Sequence, residues 1–178
     1  MRILGIDPGF GRMGYGVIEK KGSEWIHVAH GLVETSAKDS FLERLLEIHT
    51  DLKKIIRRYK PDMAAVEELF FAKNVTTAMQ VGHARGVILL TAHEAGLKIV
   101  EVKPQVVKQA MTGYGRAEKG QIQAMVQLML QLKKGKMQDD AADAFGFLGQ
   151  VAHVAGQVAA AALDLDLHLE LAAGGEMR

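Results

Sequence analysis

The chain reads as an α/β protein built on a five-stranded mixed sheet, three strands antiparallel and the rest parallel, flanked by helices. Three observations predict this. Three β-rich stretches, RILGID, MGYGVIEK and EWIHVAHGLVET, follow one another through short turns, the pattern of an antiparallel meander. A helical apolar pattern separates them from a fourth, DMAAVE, and a strand reached through a helical crossover lies most simply parallel to the first. A second helical stretch then leads to a fifth, LKIVEV.

Taken in order, RILGID is a short buried strand ending in Asp7. The next five residues form a turn in which Pro8 fixes one dihedral while Gly9 and Gly11 permit positive φ. The second and third strands are joined by a turn at Lys21, Gly22 and Ser23. Ser40-Phe41-Leu42-Glu43 has the form of a capping box, and Leu42, Leu45, Leu46, Leu52, Ile55 and Ile56 then recur at helical spacing until Pro61 stops the helix. FFAKNVTT reads as a loop. It precedes a helix over about residues 77–95, with Gly82 and Gly86 four apart and Gly96 at its end. Beyond the fifth strand, KPQVVKQAM is a short helix entered through Pro104, TGYGRAEKG is a loop, and a further helix reaches about Leu132. KKGKMQDD is a charged connector to a last helix that begins near Asp140 and carries Ala141, Ala142, Ala144, Phe145 and Leu148. There is no internal repeat and no domain linker, so one domain is expected over residues 1–158, with a tail at 159–178. Within the tail, LDLDLHLEL alternates like a strand although it follows an alanine-rich helical stretch. An added edge strand, a frayed helix end and a contact with a second subunit all fit it.

The bulk numbers agree with one core: 178 residues, 48% hydrophobic and 24% charged, which argues against general disorder. The net charge is only +1, but it is unevenly spread. Lys103, Lys108, Arg116, Lys119, Lys133, Lys134 and Lys136 share their segment with one acid, Glu118. That segregation suits a surface facing a polyanion, and it equally suits a solvated helical face. Cysteine is absent, which excludes disulfides and thiolate metal sites and fits a reducing cytosol. No signal pattern opens the chain, and no uncharged apolar stretch is long enough to span a bilayer, so a cytoplasmic protein without membrane contact is expected.

Four carboxylates carry the chemistry: Asp7, Glu67, Asp140 and Asp143. Acidic groups at the ends of buried segments are costly unless something positive compensates them. Asp7 beside a glycine-rich turn can ligate a metal or cap the turn amides. Glu67 and Glu68 point to opposite faces of a strand, so only one shares a site with Asp7, and Glu67 is nearer the strand mouth. Asp140 and Asp143, three apart, share one helical face and either ligate or stabilise a helix N-terminus, a task Asp139 can also perform. Mg²⁺ prefers oxygen donors, and two ions about 3.5–4 Å apart can activate an attacking water and stabilise a leaving 3′ oxygen. Four carboxylates nearly balance two such ions.

GIDPG around Asp7, VEELFFAKN around Glu67, PQVVKQAMTGYGRAEK and DDAADA together resemble the RuvC-type Holliday junction resolvases of bacteria, over about residues 1–150. The resemblance implies a ribonuclease-H-like nuclease domain, a homodimer, and paired symmetrical nicking of four-way DNA junctions in recombination and repair, with Mg²⁺ or Mn²⁺. It also implies work beside a branch-migration motor complex. It puts Asp7, Glu67, Asp140 and Asp143 on the catalytic metal-binding positions, Lys108 and Lys119 on DNA-contacting positions, and Phe70 on an aromatic that stacks on a base near the crossover. The helix with Gly82, Arg85 and Gly86 corresponds to a dimer-forming helix.

The residues themselves allow these roles. Lys108 and Lys119 can pair with phosphate or simply face solvent, and Arg116 is a candidate of the same type. Of Phe70 and Phe71, one can pack in the core while the other stacks on an unpaired base, worth about 1–3 kcal/mol, or both can pack under the loop. The seven histidines show no ligand spacing, which points to core or surface roles. One departure from the family pattern is AFGFLGQVAH after the last acids, whose two glycines each cost a helix about 1 kcal/mol against alanine. Two other functions share some of these features. GIDPGFGRMGYG also resembles the phosphate loop of actin-like sugar kinases and ATPases, though the chain is short for that duplicated fold. A non-catalytic junction-binding module would use the basic surface but leave the four acids unexplained.

Overall fold

The computed structural model describes residues 1–22, 24–69 and 75–103. Five strands and two helices alternate in the expected order: β1 (Arg2–Asp7), β2 (Arg12–Lys21), β3 (Glu24–Glu34), α1 (Phe41–Tyr59), β4 (Met63–Glu67), α2 (Val75–Glu94) and β5 (Lys98–Val102). They form one sheet in the order β3-β2-β1-β4-β5. β1, β2 and β3 pair antiparallel, while β4 runs parallel to β1 and β5 parallel to β4. The meander and the crossover strands are therefore as the sequence predicts.

Both helices lie on one face of this sheet. Ile48, Leu52, Ile55 and Ile56 of α1 and Ala84, Ile88 and Ala92 of α2 join Leu4, Ile6, Met13, Val17, Ala64 and Val66 in one buried cluster. Burying an aliphatic side chain of this size contributes roughly 1.5–3 kcal/mol. The capping box forms: Ser40 Oγ accepts from the Glu43 amide, and the Ser40 amide donates to Glu43 Oε2 at 2.8 Å. Lys60, in the left-handed region at φ 47°, closes α1 ahead of Pro61. The predicted apolar stripe needs a correction, because Leu42 and Leu46 are 72% and 62% exposed while Ile48, not singled out from the sequence, is fully buried. Leu46 lies roughly 100° round the helix from Leu45, off the line of Ile48, Leu52 and Ile55.

α2 begins at Val75, two residues before the expected start. Its β-branched opening reads as loop by propensity, but the helical cost of such residues is at most about 0.7 kcal/mol each, too little to exclude a helix there. His49 Nδ1 lies 2.8 Å from the buried Thr91 hydroxyl, which donates to the Val87 carbonyl at 2.7 Å, and so ties α1 to α2. Gly96, at φ 74°, turns the chain out of α2 into β5. At the other end of the sheet Arg2 and Asp62 join β1 to the start of β4: the Arg2 amide donates to Asp62 Oδ2 at 2.6 Å and the Asp62 amide to the Arg2 carbonyl at 2.8 Å. No helix among the described residues is long and apolar enough to cross a membrane.

Candidate active site

The strand register brings two of the four predicted carboxylates together. β1 and β4 pair in parallel from Ile3 with Met63 to Ile6 with Val66. One residue further along both strands, Asp7 lies level with Glu67, on neighbours spaced roughly 4.8 Å apart. Ile6 and Val66 belong to the cluster under α1 and α2. By alternation, Asp7 and Glu67 face the other side of the sheet, the side of Ile3 and Ala65, which are also fully buried. Both carboxylates stand half-buried at the strand mouths.

The turn after Asp7 is held from three directions. A Cβ on Gly9 would lie 2.0 Å from the Arg12 carbonyl oxygen, so only glycine allows the chain to close this tightly. The Phe10 carbonyl accepts the Thr35 hydroxyl at 2.7 Å, and the Gly11 carbonyl accepts the Thr35 amide at 3.0 Å. Arg44, from α1, donates to the Thr35 hydroxyl at 2.9 Å and lies over the Phe10 ring, 3.9 Å from its centroid. Phe10 itself is buried and stacks near Phe41, ring centroids 5.2 Å apart.

Glu67 is anchored through its main chain. Its carbonyl accepts from Arg85 Nε of α2 at 3.0 Å, and a terminal nitrogen of the same guanidinium pairs with Glu101 of β5. The next amide, Glu68, donates to the Val102 carbonyl at 2.9 Å and carries the β4–β5 pairing past the strand end. Sequence reasoning placed Arg85 on a helix but did not connect it to Glu67, because a bond to a main-chain oxygen leaves no side-chain pattern to read.

Among the described residues, Asp7 and Glu67 offer carboxylate oxygens at the mouths, donors that fit a hard divalent cation such as Mg²⁺. Among the described residues no group of three or more His, Cys, Asp or Glu gathers at one point, so a complete site would need further ligands. Asp140 and Asp143, the predicted partners, lie outside the described residues, as do Phe70, Phe71, Lys108, Arg116 and Lys119.

The structure also joins two histidines that the sequence leaves apart. His27 Nε2 lies 2.5 Å from His30 Nδ1. In a regular strand residues three apart face opposite ways, but the β2–β3 register shifts between Val17 and Ile18, where Val28 is the extra residue, and both rings come to one face. Burial, then the neighbouring His27, pushes the His30 imidazole down to about 4, and burial lowers that of His27. No sequence signal marks such a bulge.

A family model described as crossover junction endodeoxyribonuclease RuvC matches residues 3–153. The chain belongs to the RuvC family. A family member from Petrotoga mobilis is 56% identical over 144 residues, covering 81% of this chain and 88% of the relative. Another, from Heliobacterium modesticaldum, is 54% identical over 153 residues, covering 86% and 94%. Among solved structures, Thermus thermophilus RuvC in complex with Holliday junction substrate is 34% identical with a TM-score of 0.72, over 89% of this chain and 97% of that one. The mixed sheet described above is the ribonuclease-H-like fold of the RuvC family.

Proposed function

We propose that the protein resolves four-way (Holliday) DNA junctions by paired symmetrical nicks, hydrolysing phosphodiesters at a site built on Asp7, Glu67, Asp140 and Asp143. The observation that carries this reading is the level placement of Asp7 and Glu67 on adjacent parallel strands of a RuvC-family fold. RuvC nucleases are metal-dependent, and the all-oxygen donor pair favours Mg²⁺, two per site, with Mn²⁺ able to substitute. Bound there, such ions would supply Lewis-acid stabilisation of the attacking and leaving oxygens. The chain's own residues do the rest. Asp7 and Glu67 concentrate negative charge at a rigid strand mouth, and Asp140 and Asp143 complete the ligand set. Lys108, Arg116 and Lys119 pair with backbone phosphates, which sets the register of the DNA without reading its sequence. Phe70 and Phe71 follow Glu67 in sequence and offer aromatic faces to bases opened at the crossover. Two copies in a homodimer place two sites on opposed strands, and a branch-migration motor delivers the junction in the cell. The nuclease domain spans residues 1–158.

The test is incubation of a synthetic four-way junction with the protein and Mg²⁺, beside a linear duplex of the same sequence. Two nicks at symmetry-related positions in the junction alone are expected. ATP turnover without DNA cleavage, or equal cutting of linear duplex, contradicts the reading.

A further inference from the structure

We propose that Arg85 is a positioning residue for Glu67, setting the angle at which that carboxylate leaves the sheet. The inference rests on the reading of Glu67 as a metal-holding catalytic group. Glu67 is the last residue of β4, and β5 holds the peptide that follows it on one edge, through the Glu68 amide's bond to the Val102 carbonyl at 2.9 Å. On the opposite edge of the same peptide the Glu67 carbonyl accepts from Arg85 Nε at 3.0 Å, so the plane is held from both sides. The Arg85 side chain is 17% exposed, and the other arm of its guanidinium pairs with the half-exposed Glu101 of β5. A planar fork with both arms engaged fixes the acceptor in direction as well as distance, which a flexible ammonium cannot do.

The faces of the sheet decide how this anchor acts. Arg85 lies on α2, over the face that carries Val66, whereas the Glu67 side chain projects to the opposite face. The strand stands between the guanidinium and the carboxylate. Arg85 therefore holds the main chain from which Glu67 projects, rather than neutralising its charge. Fixing that peptide plane fixes the Cα–Cβ direction, and with it the spacing of the Glu67 oxygens from those of Asp7. Partners of this kind, one step removed from a metal, typically change metal affinity or activity by about 10- to 100-fold when removed.

The experiment compares wild type, Arg85→Met, Arg85→Lys, Glu101→Gln and Glu67→Gln in full-length protein. Single-turnover nicking of a four-way junction is followed as a function of Mg²⁺ concentration. Junction affinity in Ca²⁺, thermal melting and oligomeric state by light scattering are measured alongside. Arg85→Met is expected to raise the Mg²⁺ concentration for half-maximal nicking by about 10-fold or more, with junction affinity and oligomeric state unchanged. Arg85→Lys keeps the charge but not the fork and should shift the same way by less. Full rescue by lysine would overturn the proposal in favour of a purely electrostatic role. A folded Arg85→Met with wild-type Mg²⁺ dependence would overturn it outright. If Arg85→Met does not fold, the exposed Glu101→Gln decides: a smaller shift in the same direction supports the proposal and an unchanged Mg²⁺ curve refutes it. Glu67→Gln separates the two levels of the argument. Normal nicking by that variant removes the reading of Glu67, whereas its inactivity together with an unshifted Arg85→Met removes only the role of Arg85.

Discussion

Replacing Gly9 by alanine should damage both stability and cleavage, and the structure sets the scale. The added Cβ would lie 2.0 Å from the Arg12 carbonyl oxygen and 3.1 Å from its carbon. Both neighbours are main chain, so no side-chain rotation relieves the overlap. Ordinary non-bonded contact is about 3.5 Å, so the turn must open by roughly 1.5 Å. That movement works against the Thr35 and Arg44 bonds that hold Phe10 and Gly11. Overpacking of this kind costs about 1–3 kcal/mol, and each kcal/mol lowers the melting temperature of a chain this size by about 2–4 °C. A loss of roughly 2–12 °C follows. Because the turn starts directly after Asp7, a displacement on the order of 1 Å at that carboxylate should cut the nicking rate about 100-fold. Gly11→Ala is the control, since its Cβ would meet only the Arg44 side chain at 3.5 Å, an ordinary contact. Thermal melting and single-turnover nicking of both variants, with junction affinity in Ca²⁺, measure the effect. Wild-type melting and rate in Gly9→Ala, or an equal loss in Gly11→Ala, would refute the reasoning.

Three further expectations concern stability. Leu52→Ala removes a fully buried side chain from the cluster between α1 and the sheet and should cost about 2–5 kcal/mol in urea unfolding, and a loss below about 1 kcal/mol would contradict the packing described. Ser40→Ala should cost about 1 kcal/mol at neutral pH through the lost N-cap. The Ser40 bonds also lower the Glu43 carboxyl below its ordinary 4.5, so this part of the stability is present above that value and lost as pH falls through the lowered one; the melting gap between wild type and Ser40→Ala should narrow in acid. His30 has its imidazole pushed from 6.5 down to about 4, so the unfolded chain binds the extra proton first, and stability falls as pH drops from about 6.5 towards 4. His30→Asn should flatten that acid limb in melting curves taken across the interval, and an unaltered slope would contradict the half-buried histidine pair.

Strand and helix order were legible because period-2 and helical apolar patterns alternate cleanly through residues 1–103, and because Ser40, Pro61 and Gly96 punctuate them. The pairing of Asp7 with Glu67 was legible too, since a helical crossover makes β4 parallel to β1 and so puts both strand ends at one edge. Other features were hidden for physical reasons. The exposure of Leu42 and Leu46 depends on which side of α1 meets the sheet, which hydrophobicity alone does not say. The His27–His30 contact depends on a one-residue bulge that no composition marks. The Arg85 bond to Glu67 depends on a main-chain acceptor, invisible to any search for paired side chains. The functional assignment came from four separated motifs read together, since GIDPG alone also suits a phosphate loop.

The most direct test of the whole account is single-turnover nicking of a four-way junction by wild type and Asp7→Asn at saturating Mg²⁺, with binding to the same junction measured in Ca²⁺. Retained junction affinity with cleavage abolished is the predicted result. Symmetrical nicking by Asp7→Asn at the wild-type rate would contradict a catalytic centre built on the adjoining mouths of β1 and β4.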